Sequence, residues 1–103
     1  MIITTTETIP GRRLEILGVV KGNTIRARWF GRDLLAMLKT LVGGEIKSYT
    51  ELISKAREDA LKRMIEEAKN LKADAIVNVR FTTSQIMQGA AELLVYGTAV
   101  KLR

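Results

Sequence analysis

Arg26, Arg28, Trp29, Phe30 and Arg32 interleave cations with aromatic rings, the composition that attracts phosphate and stacks bases. The competing reading has Trp29 and Phe30 anchoring a core edge or a subunit contact while the arginines stay solvated. We favour that second reading, because no nucleic-acid-binding motif accompanies the stretch. Carboxylates offer a different chemistry at Glu58-Asp59 and Glu66-Glu67. Adjacent helix positions point about 100° apart, so neither pair is a ready-made chelate for a hard cation. Soft metals want thiolate or imidazole, and the chain has no Cys and no His. The same absences exclude disulfides, cysteine nucleophiles and the commonest general base. Met1, Met37, Met64 and Met87 fall in unrelated elements, so a carboxylate ring made by symmetry between copies is the one credible metal site. The glycines at 18, 22, 43, 44 and 97 lack Walker or dinucleotide spacing. No Ser, Lys or Tyr arrangement supports nucleophilic catalysis. We therefore assign no catalytic residue and no cofactor, and expect a protein that is not an enzyme.

The elements that must position these residues belong to a short chain. Its 103 residues and 11.5 kDa make one domain, 1–103, with room for one modest core. An apolar fraction of 47% is ordinary for a folded domain, and no apolar run approaches the roughly 18 residues of a membrane span. We expect no membrane partner. Met1 leads into Ile2-Ile3-Thr4-Thr5-Thr6 with no basic region ahead of it, so a cytoplasmic location is the default expectation. Seventeen basic residues against eleven acidic ones leave a net charge of +6. Residues 1–48 carry +4 of it and 49–103 carry +2, a mild concentration near the arginine stretch that permits attraction to polyanions.

Periodicity sets out the order of elements. Residues 2 to 9, rich in β-branched side chains, read as a short strand closed by Pro10-Gly11. Leu14 to Val20 alternate as a second strand, with Gly22-Asn23 as a turn after it. Thr24 to Phe30 read equally as a further strand or as a loop. From Arg32 to Val42, Leu34, Leu35, Leu38, Leu41 and Val42 recur at helical spacing and Gly43-Gly44 supplies the stop. A long helix follows from about Tyr49 to Leu71, its stripe formed by Leu52, Ala56, Ala60, Met64, Ala68 and Leu71 and flanked by Ile53, Leu61 and Ile65. Ser48 with Glu51 has the spacing of a capping box. The small residues of the stripe let this helix lie close on a sheet. Arg57, one position past Ala56, is placed to reach the border of that interface and pair with an acid there, Asp33 being one candidate. Ala75 to Phe81 form another strand, the polar stretch Thr82 to Gly89 a loop, and Glu92 to Leu102 the last strand, in which close backbone approach or a bulge accounts for Gly97.

A sheet with one helix-covered face and one wet face should alternate apolar with polar residues. Here Leu17 and Val19 accompany Leu14, Ile16 and Val20, and Leu94, Tyr96 and Val100 accompany Leu93 and Val95. One long and one short helix cover about one face. Each large apolar side chain left wet on the other forgoes about 1.5 to 3 kcal/mol, so burial between copies is the expected solution. The alternative is that the first helix or the amino-terminal strand folds back over that face.

The landmarks Thr5-Thr6, Gly11, Leu17-Gly18-Val19-Val20-x-Gly22, Arg32-Asp33, Val42-Gly43-Gly44, Tyr49, Ala56-Arg57-Glu58-x-Ala60, Glu67-Ala68, Ala73-Asp74-Ala75-Ile76 and Gly97-Thr98-Ala99-Val100 occur in that order. In this the chain resembles the YbjQ-like family, which carries the description "putative heavy-metal-binding". Lys72 stands where a glycine before Ala73 is usual, and Arg28-Trp29-Phe30 is bulkier than the segment normally found before Arg32-Asp33. The resemblance implies a two-layer α/β (α+β) subunit like that of dodecin, with an antiparallel sheet and a long helix packed across it. It also implies assembly into a homo-oligomeric ring, typically a pentamer. Arg32, Asp33, Tyr49 and Arg57 in the matching motifs, with Tyr96 and Thr98 around Gly97, are the candidates for a ligand site or a subunit interface.

Overall fold

The computed structural model describes residues 1–26, 47–87 and 90–103. Four strands, β1 (Ile2–Ile3), β2 (Leu14–Arg26), β3 (Ala75–Met87) and β4 (Ala90–Leu102), accompany one helix, α1 (Lys47–Asn70). The short helix expected at Arg32 to Val42 lies outside the described residues. The strands form one sheet in the order β1-β3-β4-β2. Both pairings of β4 are antiparallel, but β1 runs parallel to β3, so the sheet is mixed and not wholly antiparallel as expected.

The expected strand from residue 2 to 9 is regular only at Ile2–Ile3, although the backbone keeps bonding to β3: the Thr4 N–H donates to the Ile76 carbonyl at 3.0 Å, and the Thr4 and Thr6 carbonyls accept from Val79 and Asn78 at 3.1 and 3.0 Å. The threonine hydroxyls also bond locally. Thr4 Oγ1 accepts from the Thr6 N–H at 3.2 Å, and Thr6 Oγ1 donates to the Thr8 carbonyl at 2.9 Å. The chain must then travel from one edge of the sheet to the other to begin β2. On the way Ile9 packs, with Leu14 and Leu102, on the buried Ala75, Val77 and Val100. This amino-terminal connection therefore covers one end of the face turned away from the helix, part of the cover that the sequence assigned to a second copy.

On the other face the helix lays Ala56, Ala60, Met64 and Ala68 against the sheet, all buried. Ala60, Met64 and Ala68 form one cluster with Val20, Ile76, Val79, Val95 and Ala99, with Leu17, Leu61 and Ile65 at its margin. The stripe ends at Ala68, since Leu71 is exposed past the helix end. Ser48 lies inside the first turn and not at the cap position that a capping box requires. The carboxyl end is a Schellman closure: the Ala73 N–H donates to the Ala68 carbonyl at 3.1 Å and the Lys72 N–H to that of Lys69 at 2.9 Å. Lys72 takes a φ of 61° there, the left-handed conformation that glycine adopts most readily.

Gly22-Asn23 is not a turn, because β2 runs through it to Arg26. A Cβ on Gly22 would stand 2.0 Å from the Ala60 carbonyl oxygen and 2.6 Å from the Met64 nitrogen, so the glycine is where helix backbone meets strand backbone. Thr24 to Arg26 are the end of the same strand. The polar stretch expected as a loop is also strand: Thr82, Thr83 and Ser84 pair with Leu94, Leu93 and Glu92. Polarity there reflects a solvated ribbon, and threonine suits a pleated backbone. Three irregularities break the alternation: between Ile16 and Gly18 in β2, and between Val77 and Arg80 and between Gln85 and Met87 in β3. The second lies across from Gly97, whose missing Cβ would meet the Ile76 Cγ2 at 2.7 Å, in line with the close approach expected there.

Candidate functional site

The register defines what the face opposite the helix presents. Residues directly paired across antiparallel strands share a face, so three rows cross β2, β4 and β3 in turn. They are Val19–Thr98–Val77, Lys21–Tyr96–Arg80 and Asn23–Leu94–Thr82. A fourth row, Ile25–Glu92–Ser84, lies further along the hairpin. Beyond the end covered by Ile9 this face is open. Ile16 is 73% exposed, Val19 69%, Ile25 53% and Tyr96 40%. The first three belong to β2, an outer strand of the sheet, and so form an apolar border to the face.

The polar groups here have defined partners. Arg80 Nη1 donates to the Thr5 carbonyl at 3.0 Å and to the Val79 carbonyl at 2.9 Å, which ties β3 to the threonine segment. Asn23 Nδ2 donates to Glu92 Oε2 at 3.0 Å across the β2–β4 pair, while its carbonyl accepts from the Arg63 guanidinium of the helix. On the helix side, the buried Thr24 hydroxyl donates to the Ala56 carbonyl at 3.3 Å. At the far end of the sheet Arg103 pairs with Glu15, its Nε donating to Oε2 at 2.8 Å.

The candidates named from sequence are thus divided. Tyr96 and Thr98, two apart on β4, share the open face. Arg57 is exposed on α1 and Tyr49 lies on the same helix, which within one copy packs on the other side of the sheet from Tyr96 and Thr98. Arg32 and Asp33 lie outside the described residues, as does the proposed partnership of Asp33 with Arg57. Of the basic-aromatic stretch, Arg26 ends β2; Arg28, Trp29, Phe30 and Arg32 lie outside the described residues. Lys21 and Arg80, which flank Tyr96, were missed from sequence. Strict alternation puts Arg80 on the face of Ile76, and only the irregularity after Val77 moves it beside Tyr96.

A single long helix packed on a mixed four-stranded sheet places the chain in a class of small α+β proteins. The same backbone arrangement occurs in a crystal structure from Pediococcus pentosaceus of a protein of unknown function in the DUF74 family. That likeness has a TM-score of 0.69 at 19% identity and covers 100% of this chain and 98% of the other. The family model YbjQ_1, described as "Putative heavy-metal-binding", matches residues 1–103, and the chain belongs to that family. Among similar relatives, an Archaeoglobus fulgidus UPF0145 protein is 68% identical, over 100% of this chain and 96% of its own length. A Vibrio campbellii UPF0145 protein is 58% identical over 99% of both, and one from Thermotoga maritima is 59% identical over 99% of this chain and 97% of its own.

The family description raises a metal, and the donors can be tested against it. The chain has neither thiolate nor imidazole, and no group of three or more Asp or Glu able to hold an ion occurs among the described residues. Glu58 and Glu66 are exposed on the helix, with Asp59 and Glu67 half-buried beside them. This donor set does not fit a soft metal within one copy. No helix among the described residues is long and apolar enough to cross a membrane.

Proposed function

We propose that the chain is the single-domain subunit of a cytoplasmic homo-oligomeric ring, a pentamer, that serves as a non-enzymatic binding or scaffold module. Any small ligand would sit at the subunit interfaces. The observation that carries this reading is the apolar border of β2: Ile16, Val19 and Ile25 stand 73%, 69% and 53% exposed in a lone copy. Burying three such side chains is worth roughly 1.5 to 3 kcal/mol each. Copies meeting along this border would recover that stabilisation, and the connection through Ile9 leaves the border uncovered. A heterologous contact of this kind closes into a ring when the rotation between copies is a simple fraction of a turn. The family resemblance supplies the number five.

Native mass spectrometry with multi-angle light scattering tests the proposal. The expected particle is about 57.5 kDa, five copies of 11.5 kDa. Val19→Asp, which puts a charge on the border without touching the helix-side core, should shift that particle to monomer with its circular dichroism unchanged. Particles of 11.5 kDa at every concentration of the unmodified chain would overturn the reading.

A further inference from the structure

The centre of the open sheet face holds a row that the assembly reading does not use. Tyr96, on the inner strand β4, is flanked in register by Lys21 on β2 and Arg80 on β3, and all three are exposed. Two strand spacings separate the cations, about 10 Å across the sheet. The neighbouring rows add the half-buried Thr98 and the exposed Asn23 and Thr82 as hydrogen-bonding groups. Along the strands of this face the one acid among the described residues is Glu92. It sits two rows away and its carboxylate accepts from Asn23 Nδ2 at 3.0 Å.

We propose that this face binds single-stranded nucleic acid, with a base stacked on Tyr96 and backbone phosphates held by Lys21 and Arg80. Charge complementarity supports this occupant, since the row pairs two cations with no acid and the whole chain carries +6. A sheet whose central aromatic is bracketed by cations is the arrangement that holds splayed bases while tracking the backbone. A duplex fits poorly, because its bases are already stacked on one another and none is free to stack on Tyr96. Arg80 is pre-positioned, its Nη1 fixed by the Thr5 and Val79 carbonyls, and the remainder of the guanidinium is the part assigned to phosphate. The inference goes beyond assembly: Tyr96 and Arg80 lie inward of the β2 border, and Lys21, between Val19 and Ile25 on the same face, is the one member of the row that a neighbouring copy along that border would adjoin.

Fluorescence anisotropy with a labelled oligothymidylate of about 12 nucleotides tests it, using the full chain in whatever oligomeric state it adopts. Binding should weaken as salt rises. Tyr96→Leu should weaken it on the order of 5- to 150-fold, the range expected for losing one stacked base, while Tyr96→Phe retains it. Lys21→Ala should make the slope of log affinity against log salt shallower by about 0.7, one phosphate contact on a single strand. Both positions are exposed, so circular dichroism of these variants should match the unmodified chain. No anisotropy change at low salt would overturn the proposal. So would equal affinity for a duplex of the same length. Binding that survives Tyr96→Leu and Lys21→Ala but is lost in Arg28→Ala would place the contact on the basic-aromatic stretch and overturn it equally.

Discussion

Replacing Gly22 by alanine tests how the helix sits on the sheet. The added Cβ would lie 2.0 Å from the Ala60 carbonyl oxygen, 2.6 Å from the Met64 nitrogen and 3.0 Å from the Arg63 Cβ. The first two are backbone atoms of a regular helix, so no rotamer change relieves them. A carbon and an oxygen need somewhat over 3 Å, so α1 must retreat from β2 by about 1 Å. A gap of that size forfeits a quarter to a half of each dispersion contact across the seam, and the seam here is Ala60, Met64 and Ala68 against Val20 and Val95. Overpacking of a core usually costs about 1 to 3 kcal/mol, and rigid atoms on both sides put this case at the upper end, about 3 kcal/mol. For a domain of this size that lowers the midpoint by about 12 to 24 °C. Thermal unfolding followed by far-UV circular dichroism, at one fixed protein concentration because assembly shifts apparent stability, reads it directly. Gly22→Asn separates the two accounts of this residue. A turn position accepts asparagine, whereas a close-packed strand position rejects it as firmly as alanine. A Gly22→Ala midpoint within a degree or two of the unmodified protein would refute the geometry.

Two further outcomes follow from the same structure. Lys72→Gly should stabilise by about 1 kcal/mol, because the left-handed φ of 61° penalises any side chain; the midpoint should rise by about 4 to 8 °C, and a fall would mean that the Lys72 side chain makes a contact worth more than the backbone strain. Dialysis against a strong chelator should change neither the thermal midpoint nor the particle mass, since the donor set within one copy fits no soft metal. A fall in either would reveal a carboxylate ring built by symmetry.

Much of the fold was legible because periodicity reports burial directly. The stripe Ala56, Ala60, Met64, Ala68 lies four residues apart and all of it is buried, since one helical face can meet only one sheet. In β4 the division into Leu93, Val95, Gly97 and Ala99 against Leu94, Tyr96, Thr98 and Val100 matches the two faces of the strand, because no irregularity shifts its side chains. The strand through Thr82 to Ser84 was not legible, because a ribbon wet on both sides looks like a loop. Gly22 was misread for a related reason: glycine before asparagine has the composition of a turn, and only the approach of α1 shows why a side chain is forbidden there.

Local spacing alone thus determined the long helix and its apolar stripe, the last strand with its two faces, the absence of thiolate and imidazole chemistry, and an excess of apolar side chains on the sheet. The tertiary structure decided the parallel placement of β1, the crossing of the amino-terminal connection with Ile9 beneath it, and the gathering of Lys21, Tyr96 and Arg80 into one row. Lys21 and Arg80, at the two ends of the row, are 59 positions apart in the chain. Their meeting depends on a one-residue slip after Val77, which turns the side chains of β3 to the other face as far as the next irregularity, after Gln85. Pairing between distant strands sets such a slip, and no pattern within a single strand encodes it.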